Sequence, residues 1–375
     1  MTKIIKISFI TNGRTPYRKL QFEELTKIPD TQFNIYYTNP NVLERKWKVP
    51  PIKNVTEHSL NGIKFSERIG YLNFGLKRIV LDSDVVLIGG TIEPTYQLIA
   101  RLCRKYKKRY VLVFDGVSPQ KIEKINRNSF IYKLKKDVIK DSAAIFGNGT
   151  IALKYFNEVF GYPKDRIFNQ YLTVDIETIR DLGKYKNELK KQIISKYNIP
   201  STKNVVIYSG RLIKRKNVDL IIKSLQGLKN VFLLIVGDGE ENEELSKLAN
   251  KLKIDYKITG FIEDQEELFK IYYVGDLLIL PSYNEPWGLV VNEAMAAGLP
   301  VIVSNESGCS LDLVKDGENG FILSDLENPE ILRNLIIKTI ENKKNFSKKS
   351  LEIINNWTFE KSRESFESLL KEISE

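Results

Sequence analysis

Two glutamates, Glu285 and Glu293, are the residues of this 375-residue chain best suited to chemistry, in the segment Glu285-Pro-Trp-Gly-Leu-Val-Val-Asn-Glu293. A carboxylate accepts two hydroxyl hydrogen bonds at once, and these are charge-assisted, so such a pair suits a sugar or a ribose. Pro286 and Gly288 interrupt regular structure, Leu289 to Ala297 has a helical pattern, and Gly298 followed by Pro300 ends it. Glu285 is therefore expected in a loop at a strand's end, with Glu293 one or two turns into the helix. Gly288, lacking a side chain, would let phosphate oxygens approach the N–H groups that open that helix. An acidic residue favoured by the helix dipole, or an ordinary surface glutamate, would account for either carboxylate but not for the array.

Arg211 and Lys216 form a second constellation, in a loop that leaves the strand NVVIYS at Gly210 and enters a helix. Two cations and a helix N-terminus can hold a diphosphate. A solvated basic turn is the alternative, since Lys214 and Arg215 lie in the same loop. Two other signals lead elsewhere. Gly237-Asp238-Gly239 lacks the spacing of a dinucleotide fingerprint or P-loop and reads as a tight turn. Asp82-Ser83-Asp84 has the form of a metal-binding Asp-x-Asp, but it precedes a strand, where a cap or turn is the better reading.

The elements that must position these residues are short Val- and Ile-rich runs alternating with helical patterns, the signature of α/β units with parallel sheets. Strands are expected at IIKISFI, FNIYY, VVLIG, YVLVF and AAIFG, then at NVVIYS, VFLLIVG, DYKIT, DLLIL, PVIVS and GFIL. Helices are expected at, for example, Asp219 to Leu228 and Glu241 to Leu252. The chain is expected to divide into two doubly wound, Rossmann-like domains with a cleft between them: residues 1–180, a charged linker or bridging helix at 181–203, and residues 204–355. In residues 356–375, Phe359, Phe366, Leu369, Leu370 and Ile373 recur at helical spacing and predict an amphipathic helix packing back on the first domain. In open α/β sheets ligands bind beyond the carboxyl ends of the strands, where both constellations fall.

Composition narrows the classes. Apolar residues make up 42% and charged residues 28%, so the whole chain should fold. One histidine, His58, leaves almost no raw material for a zinc site or Ser-His-Asp chemistry, and no metal is expected. Cys103 and Cys309 lie in different halves and read as reduced thiols. No run is long and apolar enough to span a membrane, and Met1 leads straight into IIKISFI, so a cytoplasmic location is expected. The net charge of +11 is uneven: residues 1–200 carry 36 Lys/Arg against 19 Asp/Glu, and residues 201–375 carry 22 against 28. A basic first half can meet nucleic acid, an anionic membrane or a phosphorylated substrate.

GRLIKRKN, VGDGE, TGFI and PSYNEPWGLVVNEAMAAGLPVIVSNESG followed by VKDGENGFIL resemble the donor-binding half of the retaining glycosyltransferases of family 4, which have the GT-B fold. The resemblance covers most of residues 204 to 323, with several motifs in the family's order and spacing. TPYRKLQFEEL and GYPKDRIF with TVD are weaker likenesses in the first half. The resemblance implies that Arg211 and Lys216 bind the diphosphate of a nucleotide-sugar donor and that Glu285 contacts the transferred sugar. It further implies that Glu293 holds the ribose hydroxyls, that the backbone at Phe261 and Ile262 meets the base, and that Gly288 and Leu289 present N–H groups. Gly210, Gly237, Pro286 and Trp287 would complete the donor site. The nucleotide sugar is a co-substrate, UDP-sugar being favoured, and no cofactor is implied. Retention, with the acceptor attacking the face the diphosphate leaves, lets the leaving group help take the acceptor's proton, in keeping with the scarcity of histidine.

The departures lie in the first half. Many relatives have a glycine pair after the first strand, where this chain has Asn12-Gly13-Arg14, and a histidine after the strand corresponding to YVLVF, where it has Asp115-Gly116-Val117-Ser118. Asp115 is a candidate catalytic or acceptor-orienting residue, and a capping aspartate before a helix from Pro119 is the alternative. Asn12, Gly13, Arg14, Arg18, Gly90 and Thr91 also follow strands and could line a pocket for a saccharide or lipid-linked acceptor. Between Arg101 and Lys140, 13 basic residues are interleaved with apolar ones, and the pattern points to peripheral contact with the inner face of an anionic membrane or, alternatively, to a solvated helix face. The activity implied is transfer in cell-surface polysaccharide or glycolipid assembly. A sugar-nucleotide epimerase of the same architecture would use the same phosphate site. A nucleic-acid-binding protein would explain the pI near 9.2 but neither the carboxylate pair nor the acidic second half, so no nucleic-acid partner is expected.

Overall fold

Apolar runs that bury both faces dictate the architecture. A computed structural model of the chain describes residues 4–39, 49–66 and 69–374. Its strands are β1 Ile5–Thr11, β2 Thr31–Tyr37, β3 Thr56–Ser59, β4 Gly62–Ser66, β5 Gly70–Asn73, β6 Val85–Ile88, β7 Arg109–Phe114, β8 Ala144–Gly147 and β9 Ile167–Asn169, then β10 Asn204–Ser209, β11 Val231–Val236, β12 Tyr256–Ile258, β13 Leu277–Leu280, β14 Val301–Ser304 and β15 Gly320–Leu323. One parallel sheet has the order β3-β2-β1-β6-β7-β8-β9 and another the order β12-β11-β10-β13-β14-β15, while β4 and β5 form a separate antiparallel hairpin. Every residue of β6 and β11 is buried, as strands covered by helices on both sides require. All eleven expected strands are present. The apolar runs do not mark β3, β4, β5 and β9, which lie at sheet edges or in the hairpin and need no burial on both faces.

The chain forms two compact units, residues 1–116, 121–172 and 358–375 in the first and residues 117–120 and 173–357 in the second. The charged stretch read as a linker, 181–203, is largely helical and lies in the second unit. Helix Ile176–Gly183 ends in it and helix Lys186–Tyr197 fills most of it. Leu189 and Ile193, four positions apart on one helical face, are buried, and both helices pack on helix Gln265–Tyr272. The high density of lysine conceals that face. No helix among the described residues is long and apolar enough to cross a membrane.

The C-terminal helix Phe359–Ser374 belongs to the first unit. Phe366 is fully buried, its ring 6.2 Å from that of Phe33 and 5.1 Å from that of Phe146, and Leu369, Leu370 and Ile373 join the same core as Phe9 and Phe22. Ser362 Oγ accepts from Gln21 Nε2 at 2.9 Å, and Arg363 pairs with Glu24 at 3.0 Å, fixing the register against helix Pro16–Leu25. Phe366→Ala should destabilise the first unit by about 3 to 5 kcal/mol, seen as a lower denaturant midpoint. An unchanged midpoint would show that the helix is not part of that core.

Candidate active site

In each parallel sheet the strand order reverses once, between β1 and β6 and between β10 and β13, and the crevice at such a switch point is where ligands bind. In the second unit the loops leaving β10 and β13 meet there. Beside them the ends of β10 and β11 approach closely at two glycines: Gly210 has φ 150° and Gly237 φ 140°, and a Cβ on Gly237 would lie 2.0 Å from the Gly210 carbonyl oxygen. Beyond Gly210, Arg211 is exposed, and its carbonyl accepts from Tyr208 Oη at 2.9 Å. The Lys214–Lys216 turn ends at Asn217, whose positive φ of 55° is stabilised by its side chain donating to the Leu326 carbonyl at 2.8 Å.

That turn delivers Lys216 to Glu285. The ammonium donates to Glu285 Oε2, and Arg215 Nη1 lies 3.4 Å from the same oxygen. Lys216 and Glu285 side chains are only 13% and 10% exposed, so each is the main neutraliser of the other. Burial pulls the Lys216 pKa down, and the Glu285 carboxylate opposes the fall. Glu285 is clamped through its backbone, its N–H donating to the Glu306 carbonyl at 3.2 Å and its carbonyl accepting from Gly308 N at 3.0 Å. The buried Glu306 carboxylate accepts from Asn284 N at 2.9 Å, where φ is 51°.

Trp287 faces inward, Nε1 donating to Asn292 Oδ1 at 3.0 Å and the ring stacked on Trp357 at 5.3 Å. Gly288 turns the chain with φ 106° into helix Leu289–Ala296, and a Cβ there would meet Leu280 at 2.7 Å. Pro286 and Leu289 are half-buried beside it. Glu293, one turn inside, is buried and accepts from Tyr272 Oη at 2.6 Å. Desolvation pushes its pKa up to about 7 despite that hydrogen bond. Phe261, 43% exposed, and half-buried Ile262 follow Gly260, whose carbonyl accepts from Gly237 N at 3.1 Å.

In the first unit a cavity of about 300 Å³ opens at the ends of β1, β6 and β7, lined by Asn12, Gly13, Arg18, Gly90, Thr91 and Asp115 among others. Asp115 does not cap a helix. Its Oδ1 accepts from Arg18 and from Gln170 Nε2 at 3.3 Å, and its Oδ2 accepts from Tyr17 Oη at 3.0 Å. Burial, and then the Asp115 charge, push the Tyr17 pKa up, so its hydroxyl stays a donor. Arg18 is buried and also donates to Gln21 and to Gln170 Oε1, at 3.1 Å for the latter, so it holds Asp115 rather than presenting a free charge. Arg14 does not line this cavity. Its guanidinium turns away to Glu57 at 2.9 Å and to the Val49 carbonyl at 2.8 Å. Asp82-Ser83-Asp84 behaves as a turn, Asp84 accepting from Lys6 N at 3.0 Å.

The structure thus joins Lys216 to Glu285 and Arg18 to Asp115, and leaves Arg211 unpartnered among the described residues. Sequence reasoning passed over Arg215, Tyr272, Glu306, Tyr17 and Gln170. Arg215 was indistinguishable from its basic neighbours. Tyr272 ends a helix and Gln170 follows an edge strand with no apolar run, so neither carried a strand-end signal.

Residues 190–357 match the model of the glycosyl transferases group 1 family. An uncharacterized glycosyltransferase of Methanocaldococcus jannaschii is 28% identical over 349 residues, 85% of this chain and 84% of that protein. The lipopolysaccharide core biosynthesis glycosyltransferase LpsE of Rhizobium meliloti is 32% identical over 129 residues, 34% of this chain and 37% of its own. The chain thus spans about a third of the length of several curated relatives that it matches. HepE of Anabaena, solved in complex with UDP, superimposes with a TM-score of 0.74 at 17% identity, over 98% of this chain and 100% of that one. The fold is GT-B.

In the second unit, Glu293 supplies a test of the geometry that needs no ligand. Its pKa rises from 4.5 in the unfolded chain to about 7 in the folded one, so the folded state binds the extra proton between those values. Its protonated form is favoured below pH 4.5, and stability is lost as pH rises to about 7. Glu293→Gln removes that dependence. Its stability relative to the parent should grow by about 3 kcal/mol between pH 4.5 and 8, measured by urea unfolding at each pH. Parallel pH profiles would contradict the burial of this carboxylate.

Proposed function

We propose that the chain is a retaining glycosyltransferase that moves a sugar from a nucleoside diphosphate, with UDP-sugar favoured, onto a saccharide or lipid-linked acceptor. The observation that carries the reading is the convergence at the β10/β13 switch point of exposed Arg211, part-buried Lys216 and buried Glu285, the last three residues before the glycine that opens helix Leu289–Ala296. Relatives named for lipopolysaccharide assembly and a fold neighbour solved with UDP-glucose support this chemistry. They also favour a role in cell-surface polysaccharide or glycolipid synthesis.

In this scheme the donor diphosphate lies against the amides of Gly288 and Leu289, with Arg211 and Lys216 meeting its charge. Glu285 accepts hydrogen bonds from the transferred sugar, and Glu293 from the ribose. The acceptor hydroxyl attacks the face from which the diphosphate departs. The acceptor oxygen bonds to the anomeric carbon, the bond to the phosphate oxygen breaks, and the hydroxyl proton passes to the departing diphosphate. Side-chain cations meet the leaving charge without calling for a metal. Asp115, held by Arg18, Tyr17 and Gln170, orients an acceptor hydroxyl in the first unit.

A thermal-shift series with UDP-, GDP-, ADP- and dTDP-sugars should stabilise the protein most with the true donor, UDP-sugars by this account. Glu285→Gln and Arg211→Ala should each lower transfer by about a hundredfold to a thousandfold, and near-normal turnover in either would contradict the assigned roles. Donor consumption should depend on the acceptor; conversion of donor alone to an epimer would replace transfer with epimerisation.

A further inference from the structure

Cations available to a ligand are those the fold has not already engaged. In the first unit Arg104 pairs with Asp137 at 2.8 Å and Asp141 at 3.0 Å, Lys108 donates to the Leu81 and Ser83 carbonyls at 3.0 and 2.7 Å, and Lys135 donates to Tyr155 Oη at 2.8 Å. These cations hold the first unit together. In the second unit the turn Lys214–Lys216 commits only Lys216, to Glu285. Lys214 is 81% exposed, and its one carboxylate partner among the described residues, Glu241, lies at 3.9 Å. Arg215 makes a single long side-chain hydrogen bond among the described residues, from Nη1 to Glu285 Oε2 at 3.4 Å.

Both of these cations line a cavity of about 510 Å³, a size that suits a small molecule. None of Arg211, Lys216, Glu285, Gly288 and Glu293 lines it. Its walls come from the turn and helix Val218–Ser224, from Tyr283 in the loop after β13, and from Leu326 and Glu327 after β15. One oxygen ties these segments together. The Leu326 carbonyl accepts from Asn217 Nδ2 at 2.8 Å and from Tyr283 Oη at 3.1 Å, and Tyr283 N donates to the Arg215 carbonyl at 2.7 Å. Asp325 Oδ1 accepts from the Glu327 and Asn328 N–H groups at 2.9 and 3.2 Å, which fixes the last segment. A cavity held in this way is formed before any ligand arrives, so little ordering is lost on binding.

The lining carries both signs of charge. Lys223 pairs with Asp219 at 2.7 Å, and Glu327 adds a second carboxylate. Inorganic phosphate would meet the cations but lie among two carboxylates, and an uncharged sugar would leave Lys214 and Arg215 without an anion. A sugar bearing one phosphate satisfies both sets, with its phosphate on Lys214 and Arg215, its hydroxyls on Asp219, Glu327 and Lys223, and the half-buried Tyr283 ring as an apolar wall. We propose that this cavity is a second ligand site of the chain, for a phosphorylated monosaccharide. The proposal is independent of every donor-site assignment.

Isothermal titration of the full chain with glucose 6-phosphate, mannose 6-phosphate and glucose 1-phosphate, and with glucose and inorganic phosphate, tests it. At least one sugar phosphate should bind about tenfold or more tighter than glucose or phosphate, and should still bind with saturating UDP present. Lys214→Ala with Lys223→Ala should weaken that binding about tenfold or more, as should Arg215→Ala, whereas Arg211→Ala should leave it unchanged. Both lysine side chains are well exposed, at 81% and 47%, so the double variant should keep the parent's unfolding midpoint and its lost binding is not lost folding. No binding of any of the three sugar phosphates, displacement by UDP, undiminished binding by the double lysine variant, or loss of binding through Arg211→Ala would overturn it. A chain that binds a sugar phosphate in this way but not UDP would uphold this site and count against the donor site alone.

Discussion

A buried ammonium against a buried carboxylate, Lys216 on Glu285, is the contact around which the second unit is arranged. Neither charge could be kept at these exposures alone, because an isolated buried ion loses far more hydration than a protein interior returns. The pair needs the loops after β10 and β13 to arrive at one point, and beside them Gly210 and Gly237 let β10 and β11 end almost in contact. Gly288 then turns the chain so that helix Leu289–Ala296 begins beside the same carboxylate. The arrangement also leaves Lys216 with a single strong partner and a charge that burial has already desolvated.

The first unit solves a similar problem differently. Its buried arginine, Arg18, is consumed internally by Asp115, Gln21 and Gln170, and Gln21 ties that network to Ser362 on the C-terminal helix. What reaches the cavity is therefore a braced carboxylate beside Asn12, Gly13 and Thr91, suited to hydroxyl groups rather than to a phosphate. Charge total and charge role diverge here: the half richest in lysine and arginine spends many of them on its own architecture, while the acidic half keeps the exposed Arg211 at its switch point.

Legibility in the sequence followed the strength of local constraints. Parallel strands buried on both faces announce themselves as Val and Ile runs, and the residues just beyond them were within reach, which is why Glu285, Glu293, Arg211 and Lys216 could be named and Lys216 is found on Glu285. Edge strands such as Thr56–Ser59 bury little and leave no pattern. Partners brought from distant helices, such as Tyr272 on Glu293 or Gln170 on Asp115, depend on tertiary packing that no spacing encodes. Lysine-rich helix Lys186–Tyr197 falls in the stretch expected to be a linker or bridging helix, and only Leu189 and Ile193 mark its buried side. Arg14 sits in a promising loop, yet Glu57, more than forty residues on, decides its direction.

We propose that the β10/β13 switch point is a nucleotide-sugar site with Glu293 on the ribose and the Gly288 amide on the diphosphate. A crystal structure of the protein with UDP tests it most directly. Both ribose hydroxyls should lie within hydrogen-bond distance of the Glu293 carboxylate, and phosphate oxygens should lie against the Gly288 and Leu289 amides with Arg211 closing over them. UDP bound in the cavity beside Asp115, or ribose hydroxyls with no contact to Glu293, would contradict it.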